Sequence, residues 1–138
     1  MERINKMLEI LPIQSKTEQE ALCARCNITY DPELMAYGAS VDGESVGICQ
    51  FTISDKGGSL IDIAQVPGRN EFETAFLLGR AALNFIDLCG VHCATYDGNV
   101  SDESLIRAIG FTKTSDGKYV VDLTDFFTNP CQHHKNRA

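Results

Sequence analysis

The chain has 138 residues, of which 43% are hydrophobic and 22% charged, with a formal net charge of −7. That length suits one domain with a sizeable core, and the balanced composition excludes a disordered or fibrous protein. The acidic excess argues against nucleic acid as a partner, because a phosphate backbone calls for surplus positive charge.

The N-terminal stretch MERINKMLEILPIQSK has neither a long apolar run nor a small-residue cleavage site, so it does not read as a signal peptide. Met7 to Ile13 forms a short apolar run ended by Pro12 and predicts a first strand. Thr17 with Glu20 has capping-box spacing and predicts a helix through EALCARCNI, with Ala21, Leu22, Cys26 and Ile28 on its apolar side. Pro32 then ends helical geometry at Asp31. Two strand-like runs flank Asp42-Gly43, a two-residue hairpin signal, and the second closes at the turn Asp55 to Gly58 before SLIDIAQV. Three successive antiparallel strands follow from that pattern.

From Glu71 to Leu88 the period changes to helix, with Gly90 just beyond Cys89 as the C-terminal stop. Glu73, Arg80, Asn84 and Asp87 form one narrow polar stripe, which predicts a central helix covered on most sides and interrupts any membrane span. VHCATY reads as a buried strand, DESLIRAIG as a short helix ended by Gly110, and FTKT with KYVVDL as two strands around the turn Ser115 to Gly117. A polar tail starts at about residue 128. The order β-α-β-β-β-α-β-α-β-β predicts an α+β layered fold, a mostly antiparallel sheet flanked by helices, in a single domain over residues 1–138.

Six cysteines without a secretion signal imply a reduced, cytoplasmic protein. Cys23 and Cys26 have the spacing of a metal or redox pair, but their one distant complement is Cys131 with His133 and His134 in the tail, so no metal site is expected. His92 is a lone histidine in a strand and reads as structural.

Three local features resemble the Gcn5-related N-acetyltransferase superfamily. LIDIAQVP is similar to that family's fourth strand, which ends in valine and proline before the cofactor loop. Arg69, with Leu77 and Leu78 eight and nine residues on, matches the arginine and paired leucines around its R-x-x-G-x-G/A signature. NVSDESLIRAIGF resembles its C-terminal motif of asparagine, short helix and Gly-Phe. The resemblance, spanning about Met7 to Leu123, implies a splayed central sheet with acetyl-CoA between the fourth and fifth strands.

It further implies that Ile63, Ala64, Gln65 and Val66 face the pantetheine arm, that Arg69, Asn70, Glu71, Phe72, Glu73 and Thr74 surround the pyrophosphate, and that Asn99 supports the cofactor beyond the fifth strand. Asp62, on a strand face shared with Leu60 and Ala64, stands where some members carry a general base; Tyr96 could supply a substitute phenol acid. The implied acceptor is an amine of a small molecule or peptide, and a homodimer through a sheet edge is open.

The departures define an alternative. Phe72 and Thr74 hold the two signature glycine positions, Ile106 holds that of the tyrosine that protonates the leaving thiolate, and one helix fits where two are usual. Asn70 and Glu73 also form a self-sufficient N-cap pair, and Glu71 and Glu73 suit a helix N-terminus by roughly 0.3–1 kcal/mol each. On those residues alone the loop is either a cofactor cradle of altered geometry or a self-capped helix start. The second reading predicts a catalytically inactive interaction or small-ligand module.

Overall fold

The computed structural model describes residues 7–127, and the expected tail with Cys131, His133 and His134 lies outside them. Ten elements follow one another: β1 (Leu8–Pro12), α1 (Lys16–Arg25), β2 (Met35–Val41), β3 (Glu44–Ser54), β4 (Gly57–Gln65), α2 (Phe72–Leu88), β5 (Cys93–Tyr96), α3 (Glu103–Ile109), β6 (Thr112–Lys113) and β7 (Tyr119–Asp122). The order agrees with the sequence pattern element for element. The strands form one sheet in the order β1-β2-β3-β4-β5-β7-β6. Its pairs are antiparallel except β4 with β5, which run parallel.

Asp42 and Gly43 turn the first hairpin with φ of 53° and 89°, the left-handed pair that a two-residue turn needs. At the second hairpin, the expected turn residues Gly57 and Gly58 belong to β4 instead. A Cβ on Gly58 would lie 2.6 Å from Ile86 Cδ1, so this glycine serves the close approach of α2 to the sheet.

The main core lies between the sheet and α2 with α3. Phe51, Leu60, Leu78, Leu83, Ile86 and Ile109 are all within it, each almost fully buried. No residue of α2 from Thr74 to Asp87 is exposed, as its narrow polar stripe implies. Arg80, in that stripe, donates from Nε to the Ile109 carbonyl (2.6 Å) and from Nη2 to that of Ala108 (3.3 Å). It thereby ties the carbonyl end of α3 to α2.

On the opposite face α1 covers Ala36 and Ile48 with Leu22, Cys23 and Cys26. Three expectations are corrected here. Ser15, rather than Thr17, caps α1 by accepting the Glu18 N–H at 3.2 Å. Ala21 is exposed and Gln19 takes the buried position, because Gln19 finds a side-chain partner in the sheet. The helix also stops at Arg25, and Asn27 (φ 62°) turns the chain away before Ile28.

Candidate functional site

The β4–β5 ladder covers Gly58 to Leu60 against Ala94 to Tyr96, and a last bond runs from Asp97 N to the Leu60 carbonyl (2.8 Å). β4 continues to Gln65 with β3 alone as its neighbour. The two parallel strands therefore part beyond Leu60. Val66 N–H bonds the Val46 carbonyl (2.9 Å), so by strand alternation the backbone groups of Ile63 and Gln65 face the opening. Gly98 lies against β4 at its mouth, where a Cβ would stand 2.6 Å from the Ile61 carbonyl oxygen.

A bulge decides where Asp62 goes. The β3–β4 register pairs Phe51 with Leu60 and Gln50 with Asp62, which leaves Ile61 as the extra residue. Asp62 is thereby turned off the Leu60 face, correcting the expected shared face, and lies with Ala64 on the α1 side. Gln50 Nε2 reaches its Oδ2 at 3.2 Å and its Oδ1 at 3.4 Å, and Gln50 N–H reaches Oδ1 at 3.4 Å. Burial raises the Asp62 carboxyl above its ordinary range, and the Gln50 bonds oppose that rise.

Tyr96 pairs with Leu60 in register and so faces the α2 core, where its ring packs on Phe111. Its hydroxyl donates to the Asn99 carbonyl (2.8 Å), and burial, with the neighbouring Cys49 and Asp62, pushes its pKa to about 12. Asp62 and Tyr96 are thus on opposite faces of the sheet. Asn99 is exposed and meets Tyr96 through its backbone. Ile106 is buried in the α2 core.

The loop after β4 approaches α2 through a turn at Gly68 (φ 85°), closed by Arg69 N to the Val66 carbonyl (3.0 Å). Glu71, with no side-chain cap bond, is the N-cap. The expected Asn70–Glu73 cap pair is not formed, because the turn leaves Asn70 one residue short of the cap. Gln65 supplies the missing bonds from β4: its Oε1 accepts Glu71 N–H (3.2 Å) and its Nε2 donates to the Glu71 carbonyl (3.0 Å).

The first intrahelical bond is Ala75 N to Glu71 O (3.2 Å), so the N–H groups of Phe72, Glu73 and Thr74 precede the helical ladder. Arg69 folds back over them, donating from Nη2 to Thr74 Oγ1 (2.9 Å), and its buried Nε has no protein partner. Those amides and the guanidinium could hold an anion; the exposed carboxylates of Glu71 and Glu73 oppose one. Phe72 is half exposed and stacks on Phe76, leaving the helix start rather than filling it.

A cavity of about 410 Å3 lies elsewhere, between α1 and the β1–β2 pair, and none of the expected site residues lines it. The opening between β4 and β5 is the candidate site: the free edge of β4 borders it, and the loop to α2 follows directly from that strand. Among the described residues no cluster of metal-ligating side chains occurs, and Cys23, Cys26, Cys49, Cys89 and Cys93 are unbridged. No helix among them is long and apolar enough to cross a membrane.

This mixed seven-stranded sheet with three helices is the fold of the Gcn5-related N-acetyltransferase superfamily. No family profile matches the sequence, and no curated protein does. Solved structures do. An acetyltransferase from Bacillus subtilis in complex with CoA superposes with a TM-score of 0.67 at 16% identity, over 85% of this chain and 99% of that one. A GNAT family acetyltransferase from Brucella melitensis in complex with acetyl-CoA gives 0.64 at 14%, over 84% and 88%. The ribosomal-protein-S18-alanine N-acetyltransferase from Escherichia coli gives 0.63 at 12%, over 85% and 94%.

Sequence reasoning missed Gln19 and Gln50, and it named Gln65 for the pantetheine arm without the side-chain bonds to Glu71. Gln50 could have been found, since a glutamine inside the apolar run VGICQFTI must be bonded if the strand is buried. Nothing local marks the other two, whose partners are 31 and six residues away.

Proposed function

We propose that the protein is an acyl-CoA-dependent N-acetyltransferase with a small-molecule or peptide amine as acceptor. The observation that carries this reading is the parting of β4 from β5 beside a half-buried carboxyl. A thioester arm can lie along the free backbone groups of Ile63 and Gln65, with Ala64 and Val66 bonded back to β3. Arg69 and the amides of Phe72 to Thr74 are the groups available to its pyrophosphate, with Asn70, Glu71 and Glu73 at the rim. Asn99 lies beyond β5, its carbonyl held by Tyr96.

Acetyl-CoA supplies the thioester as the second substrate. The acceptor nitrogen bonds to its carbonyl carbon, the carbon–sulfur bond breaks, and the products are the amide and the CoA thiol. Asp62 takes the proton that the amine loses, and its raised proton affinity brings it nearer to working pH. The proton passes on to the departing sulfur through solvent. Tyr96 would protonate that sulfur only on leaving Asn99, so we assign it to holding the turn after β5. The unbridged state of the five cysteines among the described residues accords with a reducing, cytoplasmic setting.

One observation favours a second reading, a non-catalytic ligand module. Gln65 already occupies both backbone groups of Glu71, and Phe72 and Thr74 stand where the family signature has glycine. Calorimetry with CoA and acetyl-CoA tests the first reading, with an expected affinity of roughly 1 μM–1 mM. No heat and no thermal shift at several times that concentration would overturn it. Binding without turnover on a broad amine panel selects the module; turnover that is lost in Asp62→Asn rejects it.

A further inference from the structure

The α1 layer holds Asp62 through two buried amides. Gln19 and Gln50 are both 0% exposed, and a buried amide persists only where its donors and acceptors are matched. Gln50 Nε2 donates to the Asp62 carboxylate and, at 2.9 Å, to the Thr29 carbonyl. Gln50 Oε1 accepts from Gln19 Nε2 at 2.9 Å, and Gln19 Oε1 accepts from Lys16 Nζ at 3.2 Å. The two ends dictate the direction. A carboxylate and a carbonyl can only accept, and an ammonium can only donate, so neither amide can flip without losing its partners. Both amides therefore point the same way, oxygen toward the cation and nitrogen toward the anion.

We propose that Lys16, Gln19 and Gln50 form an oriented amide relay that holds Asp62 as a charged proton acceptor at the β4–β5 opening, with Gln50 as its positioning residue. Its catalytic consequence rests on the acetyltransferase reading; the relay itself does not. Cys23 of α1 and Cys26 just beyond it, on the Asp62 side of the sheet, are kept protonated by burial, with Glu20 beside Cys23 and the partly exposed Arg25 beside Cys26; Cys49 and Tyr96, likewise protonated, stand on the other face. The Gln50 end of the relay thus supplies side-chain hydrogen bonds that oppose the rise in proton affinity caused by burial, beside the one from the Gln50 backbone N–H.

Carbon-detected NMR titration of Asp62 in the free protein tests this. In the unaltered chain, the side-chain amide resonances of Gln50 and Gln19 should both move with the Asp62 midpoint. In Gln50→Met, of similar shape but without the donors, that midpoint should rise by about one pH unit. Lys16→Met, at an exposed position, should raise it by less. A folded Gln50→Met with an unmoved midpoint overturns the relay, and so do Gln50 and Gln19 amides in the unaltered chain that ignore the titration. The second criterion decides even if Gln50→Met fails to fold. A merely structural glutamine pair would lower the melting temperature and leave the midpoint in place. None of these readings requires CoA, so a failed calorimetric titration would sink the acetyltransferase reading and leave the relay standing. In an active enzyme, the acid limb of kcat/KM should move in Gln50→Met by the same interval as the carboxyl.

Discussion

Asp62 answers to two opposed demands, burial and charge. Its proton is held more tightly in the folded chain than in the unfolded one, where a carboxyl titrates near 3.9. Its contribution to stability is therefore complete below that value and lost as pH rises through the folded pKa. At pH 7 the charged group is a burden, so Asp62→Asn should melt higher than the unaltered protein, and the gain should vanish near pH 4. The same variant should lose about 10²–10⁴-fold in turnover. A lower melting point at pH 7 would count against the buried-base account. Glu103 behaves in the reverse sense. Tyr119 Oη (2.9 Å) and Arg107 Nη2 (2.8 Å) donate to it and lower its pKa, so its stabilisation is present above the ordinary carboxylate range and lost as pH falls. Glu103→Gln should therefore lower the melting temperature at pH 7 and leave it unchanged in acid. Asp62 was legible as a candidate from its strand and its resemblance, but its face was not. The bulge at Ile61 that turns it is a property of the pairing with β3.

At the scale of elements, α2 is the part most readable from the chain and the part whose start is least so. Its long apolar periodicity and stop at Gly90 define the helix because burial rewards that spacing wherever the helix lands. Its cap depends on the path of the preceding loop, which makes Glu71 rather than Asn70 the N-cap, and Gln65 reaches in from β4 to bond the Glu71 backbone. Glu71 and Glu73 stay at the positive end of the helix, so they compete there with any incoming phosphate. Replacing both by glutamine should tighten CoA binding several-fold at low salt and much less at high salt, because screening weakens exposed charges. Calorimetry at two ionic strengths reads both. Within α2, a Cβ on Gly79 would sit 2.6 Å from Ile109 Cδ1, so the Ile109 side chain of α3 packs directly on the bare backbone of α2. Gly79→Ala should cost about 1–3 kcal/mol in urea denaturation. An unchanged midpoint would mean that α3 moves freely on α2.

For the whole molecule, the decisive feature is one parallel pair in an otherwise antiparallel sheet, parted beyond Leu60. Gly98 lies at its mouth, against the Ile61 carbonyl oxygen and the buried Tyr96 ring. Gly98→Ala should therefore weaken CoA binding and lower the melting temperature together, which paired calorimetry and thermal denaturation would read. A loss of stability with affinity intact would place the opening elsewhere. By itself the sequence determined the ten elements and their order, since Asp-Gly turns, strand alternation and helical periodicity are local consequences of backbone sterics and burial. It also carried enough of the loop and strand pattern to resemble the acetyltransferase fold. Tertiary structure alone decided which face Asp62 takes, what caps α2, and that Gln19 and Gln50 meet. Each of these depends on strand register or on partners far apart in the chain, and shifting a register by one residue turns a side chain to the opposite face of the sheet.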